Sequence, residues 1–263
     1  MRLNEDPLRF QSEGYCVFRN ILDQEAILEA RRQLDRLIKA MPDKTIVDDM
    51  GKTQVVPARP EHLVEPHVKE TFWRRLCCHP RILDSVEKIL GPDLLLIMSH
   101  LIVKPPSDGM AIKWHQDNPY WHSVEGTDIV TVWLALDDST VQNGCMKVIP
   151  TSHEGYPELE MRKTDGRDLL GVEVQVTAEL EERAAPVELK AGDLSIHDSF
   201  ILHGSDANTS DRRRAGYTMR YANANTVHVD LAEHWVPVYQ VRGTAKNATG
   251  EYIDLRPTHS ADG

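Results

Sequence analysis

From Asp93 onward the chain breaks into short β-rich runs, and no helical stretch alternates with them. The runs are Leu94–Val103, Ile112–Asp117, Asp128–Leu136, Cys145–Ile149, Val187–Leu189, Leu194–His197 and Tyr217–Ala222. Turn signals separate them, among them Pro105-Pro106, Asn143-Gly144 and Gly192-Asp193. Many short strands without intervening helices specify an antiparallel sandwich or barrel and exclude a parallel α/β sheet. The expected class is mainly β with flanking helices.

The first ninety or so residues have the opposite texture. Residues 6–40 predict helix, short strand, helix; Asp23 is placed to cap the second helix, and Ile27, Ala30, Leu34 and Leu37 recur at the spacing of one helix face. Residues 41–66 mix proline, glycine and charge without a period and predict a long loop. A third helical stretch runs from about Val68 to Leu90, is interrupted near Pro80 and is ended by Gly91-Pro92. The chain 1–263 therefore divides as one domain: a mostly helical buttress over 1–92, a barrel core over 93–225 and a C-terminal extension over 226–263. A charged insertion, 155–186, interrupts the core, and the residues from Thr258 read as a frayed tail.

Composition removes several classes of function. The formal net charge of −11 repels a polyanion, so nucleic acid is a poor partner. No apolar run approaches the ~20 residues that cross a bilayer, and Leu94–Met98 is far too short. The polar start Met1–Asp6 has no signal-peptide core, and a cytoplasmic location is the expectation. Cys16, Cys77, Cys78 and Cys145 show neither a disulfide framework nor zinc-knuckle spacing. Asn247-Ala248-Thr249 fits a glycosylation sequon by chance. Nothing in the sequence speaks to oligomeric state.

The chemistry concentrates in Lys113-Trp114-His115-Gln116-Asp117. On a strand, residues two apart share a face, so His115 and Asp117 are expected to project into one interior. An imidazole and a carboxylate suit an intermediate first-row metal, and two histidines plus one carboxylate leave three positions open, as in non-haem Fe(II) oxygenases. His-x-Asp alone is a weak signal. It gains weight from His203, which ends the apolar run Phe200-Ile201-Leu202 far downstream, and from Arg214 beyond it. A guanidinium grips a carboxylate with two parallel hydrogen bonds, as anchoring a dicarboxylate co-substrate requires.

His115-x-Asp117, His203-Gly204-Ser205, Asn208 and Arg214 together resemble the phytanoyl-CoA dioxygenase family of 2-oxoglutarate oxygenases, which includes ectoine hydroxylase. Lys104-Pro105-Pro106, Asn143-Gly144-Cys145-Met146, Pro150 with Ser152-His153, and Gly192-Asp193 also resemble family landmarks, over roughly residues 10 to 225. The resemblance implies a double-stranded β-helix, a jelly-roll barrel of about eight strands with helices outside it, with Fe(II) held by His115, Asp117 and His203. It further implies 2-oxoglutarate held by Arg214 with contacts from Ser205 and Trp133, and O₂ as the oxidant. The expected reaction is hydroxylation, or another oxidation, of a small organic molecule with release of succinate and CO₂. Trp121 and His122 resemble the stretch of ectoine hydroxylase in which the Trp borders the substrate. Met98 stands where that enzyme carries a substrate-contacting Gln, so ectoine is a poor substrate candidate.

Several residues admit plainer readings. Trp133 sits in a run apolar on both faces and reads equally as a core residue. Arg220 shares a strand face with Arg214 and competes as the carboxylate clamp; distance from His203 favours Arg214. His197 reads as a satisfied core histidine, Ser152 and His153 as a strand end, and Lys104 as a lysine snorkelling at the barrel rim beside a possible substrate role. Two other functions fit parts of the pattern. A cupin-like hydrolase or isomerase would use the same ligands with Zn²⁺ or Mn²⁺. A non-catalytic sensor would bind 2-oxoglutarate or metal without turnover.

Overall fold

The computed structural model describes residues 3–42, 44–47, 53–56, 62–166, 168–245 and 252–256. Among these residues the β-rich part forms two main sheets, one of eight strands and one of four. In the centre of the larger sheet, Leu194–Asp198, Ile129–Ala135, Arg214–Asn223 and Leu94–Lys104 pair antiparallel in that order. The smaller sheet is ordered Ala185–Val187, Met146–Val148, His203–Ser205, Ile112–His115.

Alternation along the central strands sorts side chains to two faces. On the outer face Val130, Val132, Leu134, Leu194, Ile196, Ala215, Tyr217, Met219 and Tyr221 join one apolar cluster with Ile27, Ala30, Leu34, Trp73, Leu76, Ile82 and Val86. The latter come from the helices Gln24–Lys39, Thr71–Cys77 and Pro80–Leu90, so the amphipathic N-terminal helices cover the sheet. On the inner face, Tyr15, Val17, Trp133 and Ala135 pack against Met146, Val148, Ala185 and Val187 of the smaller sheet. This is the expected mainly β jelly roll with flanking helices. Its two sheets are stacked, and among the described residues no continuous hydrogen-bond ladder closes them into a barrel.

The second helix begins as its sequence predicts, with the Asp23 carboxylate accepting from the Ala26 N–H at 2.9 Å. The stretch expected from Val68 to Leu90 is three helices. Glu70, extended at φ −119° and ψ 113°, breaks it once, and Pro80 starts its last helix. The expected loop 41–66 is corrected: Lys44–Val47 pairs with Thr53–Val56, and His62–Val64 pairs with Leu94–Lys104. Each run is too short to show a period. Leu94–Lys104 also gains a partner from the C-terminal extension, Tyr239–Arg242. The strand expected at Val187–Leu189 lies at Ala185–Val187, and the insertion carries the hairpin Met161–Lys163/Val172–Val174 and the helix Ala178–Glu182. The Asn247 sequon and the tail from Thr258 lie outside the described residues. No described helix is long and apolar enough to cross a membrane.

Candidate metal centre

Two strands of the smaller sheet set the first two candidate ligands. His115 ends one strand and His203 begins its neighbour, and the two are direct cross-strand partners with ring centroids 4.0 Å apart. The His115 Nδ1 lies 2.8 Å from the Lys113 carbonyl and the His203 Nδ1 lies 3.0 Å from the Ile201 carbonyl. A carbonyl only accepts, so each Nδ1 carries the proton and each Nε2 keeps a lone pair. Burial, with each histidine's imidazole neighbour adding to it, pushes His115 down to about 3 and His203 to about 4. Both rings are therefore neutral near pH 7, the form that ligates a cation.

Asp117 reaches the same point by a different route from the one expected. The strand ends at His115; Asp117 is in the helical region at φ −76° and ψ −45°, before the short 3₁₀ turn Asn118–Tyr120. Its backbone N–H donates to the Ser199 carbonyl at 3.0 Å. That bond and the turn, rather than the strand pleat, aim the carboxylate. One ligand atom from each of His115, Asp117 and His203 lies within 4.8 Å of the others, and all three residues are buried. Burial pushes the Asp117 carboxyl up, but the Arg220 guanidinium, His197 and His203 outweigh it and hold the group well below the usual carboxylate range. Thr131 donates to Oδ2 at 2.6 Å. Two neutral imidazoles and an ionised carboxylate fit a divalent first-row metal.

Beside this triad lies a cationic recess. Arg214 is 1% exposed, its guanidinium lies 5.2 Å from the Trp133 ring centroid, and its Nη2 is 3.4 Å from Ser205 Oγ. Among the described residues no carboxylate is in ion-pair range of Arg214, and its Nε has no partner. Burial lowers its pKa to about 10, which leaves it charged at neutral pH. An almost fully buried cation without an anion is costly unless a ligand supplies one. Gly216 makes the recess possible: a Cβ there would stand 2.2 Å from the Trp133 ring. Lys104 is corrected from a rim lysine to a buried one, 1% exposed, donating to Ser205 Oγ at 2.7 Å and to the Asp206 carbonyl. Arg220, the competing arginine, faces the triad, with Nη2 3.5 Å from Asp117 Oδ1 and Nη1 donating to Thr218 at 2.6 Å.

A cavity of roughly 360 Å³ joins these parts. His115, Asp117, His203, Arg214, Ser205 and Trp133 line it, as do Trp121 and Met98 of the expected substrate contacts. Lys104 stands behind it, on Ser205, and His122 is exposed.

The family profile for phytanoyl-CoA dioxygenase (PhyH) matches residues 10–216. The chain belongs to that family. Peroxisomal phytanoyl-CoA dioxygenase of Bos taurus is 26% identical over 268 residues, 94% of this chain and 73% of the bovine protein. Ectoine dioxygenase of Nocardia farcinica (strain IFM 10152) is 25% identical, over 85% of this chain and 78% of its own. Among solved structures, the non-heme monooxygenase ThoJ in its apo form superposes with a TM-score of 0.74 at 29% identity, covering 95% of this chain and 88% of ThoJ. The chain is thus a member of a dioxygenase enzyme family with the fold of a non-heme oxygenase.

For this PhyH-family chain, sequence reasoning passed over several residues of the cavity wall. His197 is corrected from a satisfied core histidine: among the described residues neither ring nitrogen has a hydrogen-bond partner, its Nε2 is 3.7 Å from Asp117 Oδ2, and its ring centroid lies 4.5 Å from that of His203. Thr131 shares the inward parity of Trp133, and His100 that of Met98 and Lys104, so alternation held the signal for both. His62, in the expected loop, and Trp235, in the C-terminal extension, also line the cavity and carried no such signal.

Proposed function

We propose that this chain is an Fe(II)- and 2-oxoglutarate-dependent dioxygenase oxidising an unactivated C–H bond of a small organic molecule. His115 Nε2, Asp117 and His203 Nε2 would hold the iron. Arg214, with Ser205 between it and Lys104, would receive the distal carboxylate of 2-oxoglutarate, and Trp133 would floor that recess. The observation that carries the reading is the pairing of a three-ligand centre with a buried, acid-free guanidinium on the wall of one cavity. When bound, iron with 2-oxoglutarate and O₂ supplies the oxidising power, releasing succinate and CO₂.

The chain's own residues position and insulate. The carbonyls of Lys113 and Ile201 fix the tautomers of both histidines, and Thr131 orients the Asp117 carboxylate. Arg214 supplies a planar fork on a rigid strand, so the co-substrate is oriented as well as bound. Met98, Tyr120, Trp121 and Ile112 give the cavity apolar walls, which exclude water around a substrate. A metal hydrolase or isomerase sharing the triad has no use for the Arg214 recess.

Anaerobic addition of Fe(II) and 2-oxoglutarate is expected to produce a visible charge-transfer band. A substrate panel assayed under air should then give succinate in step with a product heavier by one oxygen. Absence of both the band and succinate would defeat the proposal.

A further inference from the structure

The cavity has a second polar wall, built from residues apart from the metal triad and the Arg214 recess. His62, on the edge strand His62–Val64, and His100, on Leu94–Lys104, both line it. His62 Nε2 is 3.0 Å from His100 Nδ1, and His100 Nε2 is 3.2 Å from Glu65 Oε1. Glu65 is 7% exposed and held at φ 53° and ψ 45°, a left-handed conformation uncommon outside glycine. Its surroundings over-determine that conformation. The Glu65 N–H donates to the Ser99 carbonyl at 2.9 Å, the Ser99 N–H donates to Glu65 Oε2 at 3.2 Å, and His67 Nδ1 lies 3.3 Å from the same oxygen. The carboxylate is thus fixed behind His100, away from solvent.

The direction of this chain follows from donor and acceptor counting. A carboxylate accepts, so His100 donates from Nε2. A neutral imidazole with its proton on Nε2 has a lone pair on Nδ1, so His62 donates to it from its own Nε2. The lone pair left over is then on His62 Nδ1. Both rings are neutral at physiological pH, because burial pushes each down to about 3.

We propose that Glu65 and His100 are positioning residues that lock His62 as a hydrogen-bond acceptor for the substrate, so that the cavity selects molecules bearing an amine or hydroxyl on an apolar body. Met98, Tyr120, Trp121 and Trp235, on the same cavity, supply surface for that body. The inference rests on the proposed function only in taking this cavity as the substrate's.

The test titrates the Fe(II)- and 2-oxoglutarate-loaded enzyme, without O₂, with cyclohexylamine, cyclohexanol and cyclohexanone. These are similar in size, and only the ketone lacks a donor. Saturation-transfer NMR is expected to show the amine and alcohol binding about tenfold tighter than the ketone, since the ketone leaves the His62 acceptor without a donor. The preference should vanish in His62→Phe and in His100→Phe. Equal binding of the ketone, or a preference that survives either substitution, overturns the proposal. A second readout needs no ligand: ¹⁵N NMR of the wild-type ring nitrogens should find His100 protonated on Nε2, and His62 should lose its single tautomer in His100→Phe. A His100 protonated on Nδ1 refutes the relay. Failure of the iron reading looks different: the charge-transfer band is missing while the tautomers and donor preference remain.

Discussion

The two faces of the strands Ile129–Ala135 and Arg214–Asn223 belong to different problems. Outward, Val130, Val132, Leu134, Tyr217 and Met219 meet three helices in an apolar cluster with little chemistry to offer. Inward, Thr131, Trp133, Arg214, Thr218 and Arg220 line a cavity that also holds the metal-ligand triad. The period of two thus lets one strand contribute burial on one side and polar groups on the other. Two costly features, a buried guanidinium and His197 ring nitrogens without a partner among the described residues, lie on the inner side, where a bound ligand or metal can offset them.

That division can be broken at chosen points. Arg214→Ala should weaken 2-oxoglutarate binding by about a hundredfold, in line with the roughly 2–5 kcal/mol lost when one member of a buried charge pair is truncated. Isothermal titration against the Fe(II) form reads the loss, and the thermal midpoint should not fall, because the substitution removes an uncompensated buried charge. Leu134→Ala, one residue from Trp133 on the opposite face, should do the reverse. It should cost about 3 kcal/mol in urea unfolding through the cavity it leaves, with 2-oxoglutarate affinity within twofold of wild type. A large affinity loss there would show that the two faces are coupled. The smallest effect is expected from Thr131→Val, which removes the hydrogen bond to Asp117 Oδ2. Fe(II) affinity should fall by about tenfold, as for other groups that orient a metal ligand; unchanged affinity would make Thr131 a packing residue.

The inner and outer faces also differed in how well the sequence revealed them. The outer face was legible from its helical side, because Ile27, Ala30 and Leu34 repeat at the spacing of one helix face in Gln24–Lys39. Along Ile129–Ala135 both faces are apolar in sequence, so the strands did not mark it. The triad and Arg214 were legible through motif residues and their resemblance to a family. Geometry that depends on partners was not. Asp117 is aimed by a backbone bond to Ser199 across the chain, and Lys104 is drawn inward by Ser205 and Asp206. Likewise, His62 meets His100 only because a three-residue edge strand docks on the large sheet. Such contacts are tertiary, and no local period marks them.

The central claim is that His115, Asp117 and His203 share one iron while Arg214 holds the far end of its co-substrate. An anaerobic crystal structure with Fe(II) and 2-oxoglutarate tests it most directly. The expected result is iron on His115 Nε2, His203 Nε2 and an Asp117 oxygen, with the distal carboxylate paired to the Arg214 guanidinium. Iron bound through His197 in place of His203, or a carboxylate seated on Arg220 with Arg214 left unpaired, would contradict it.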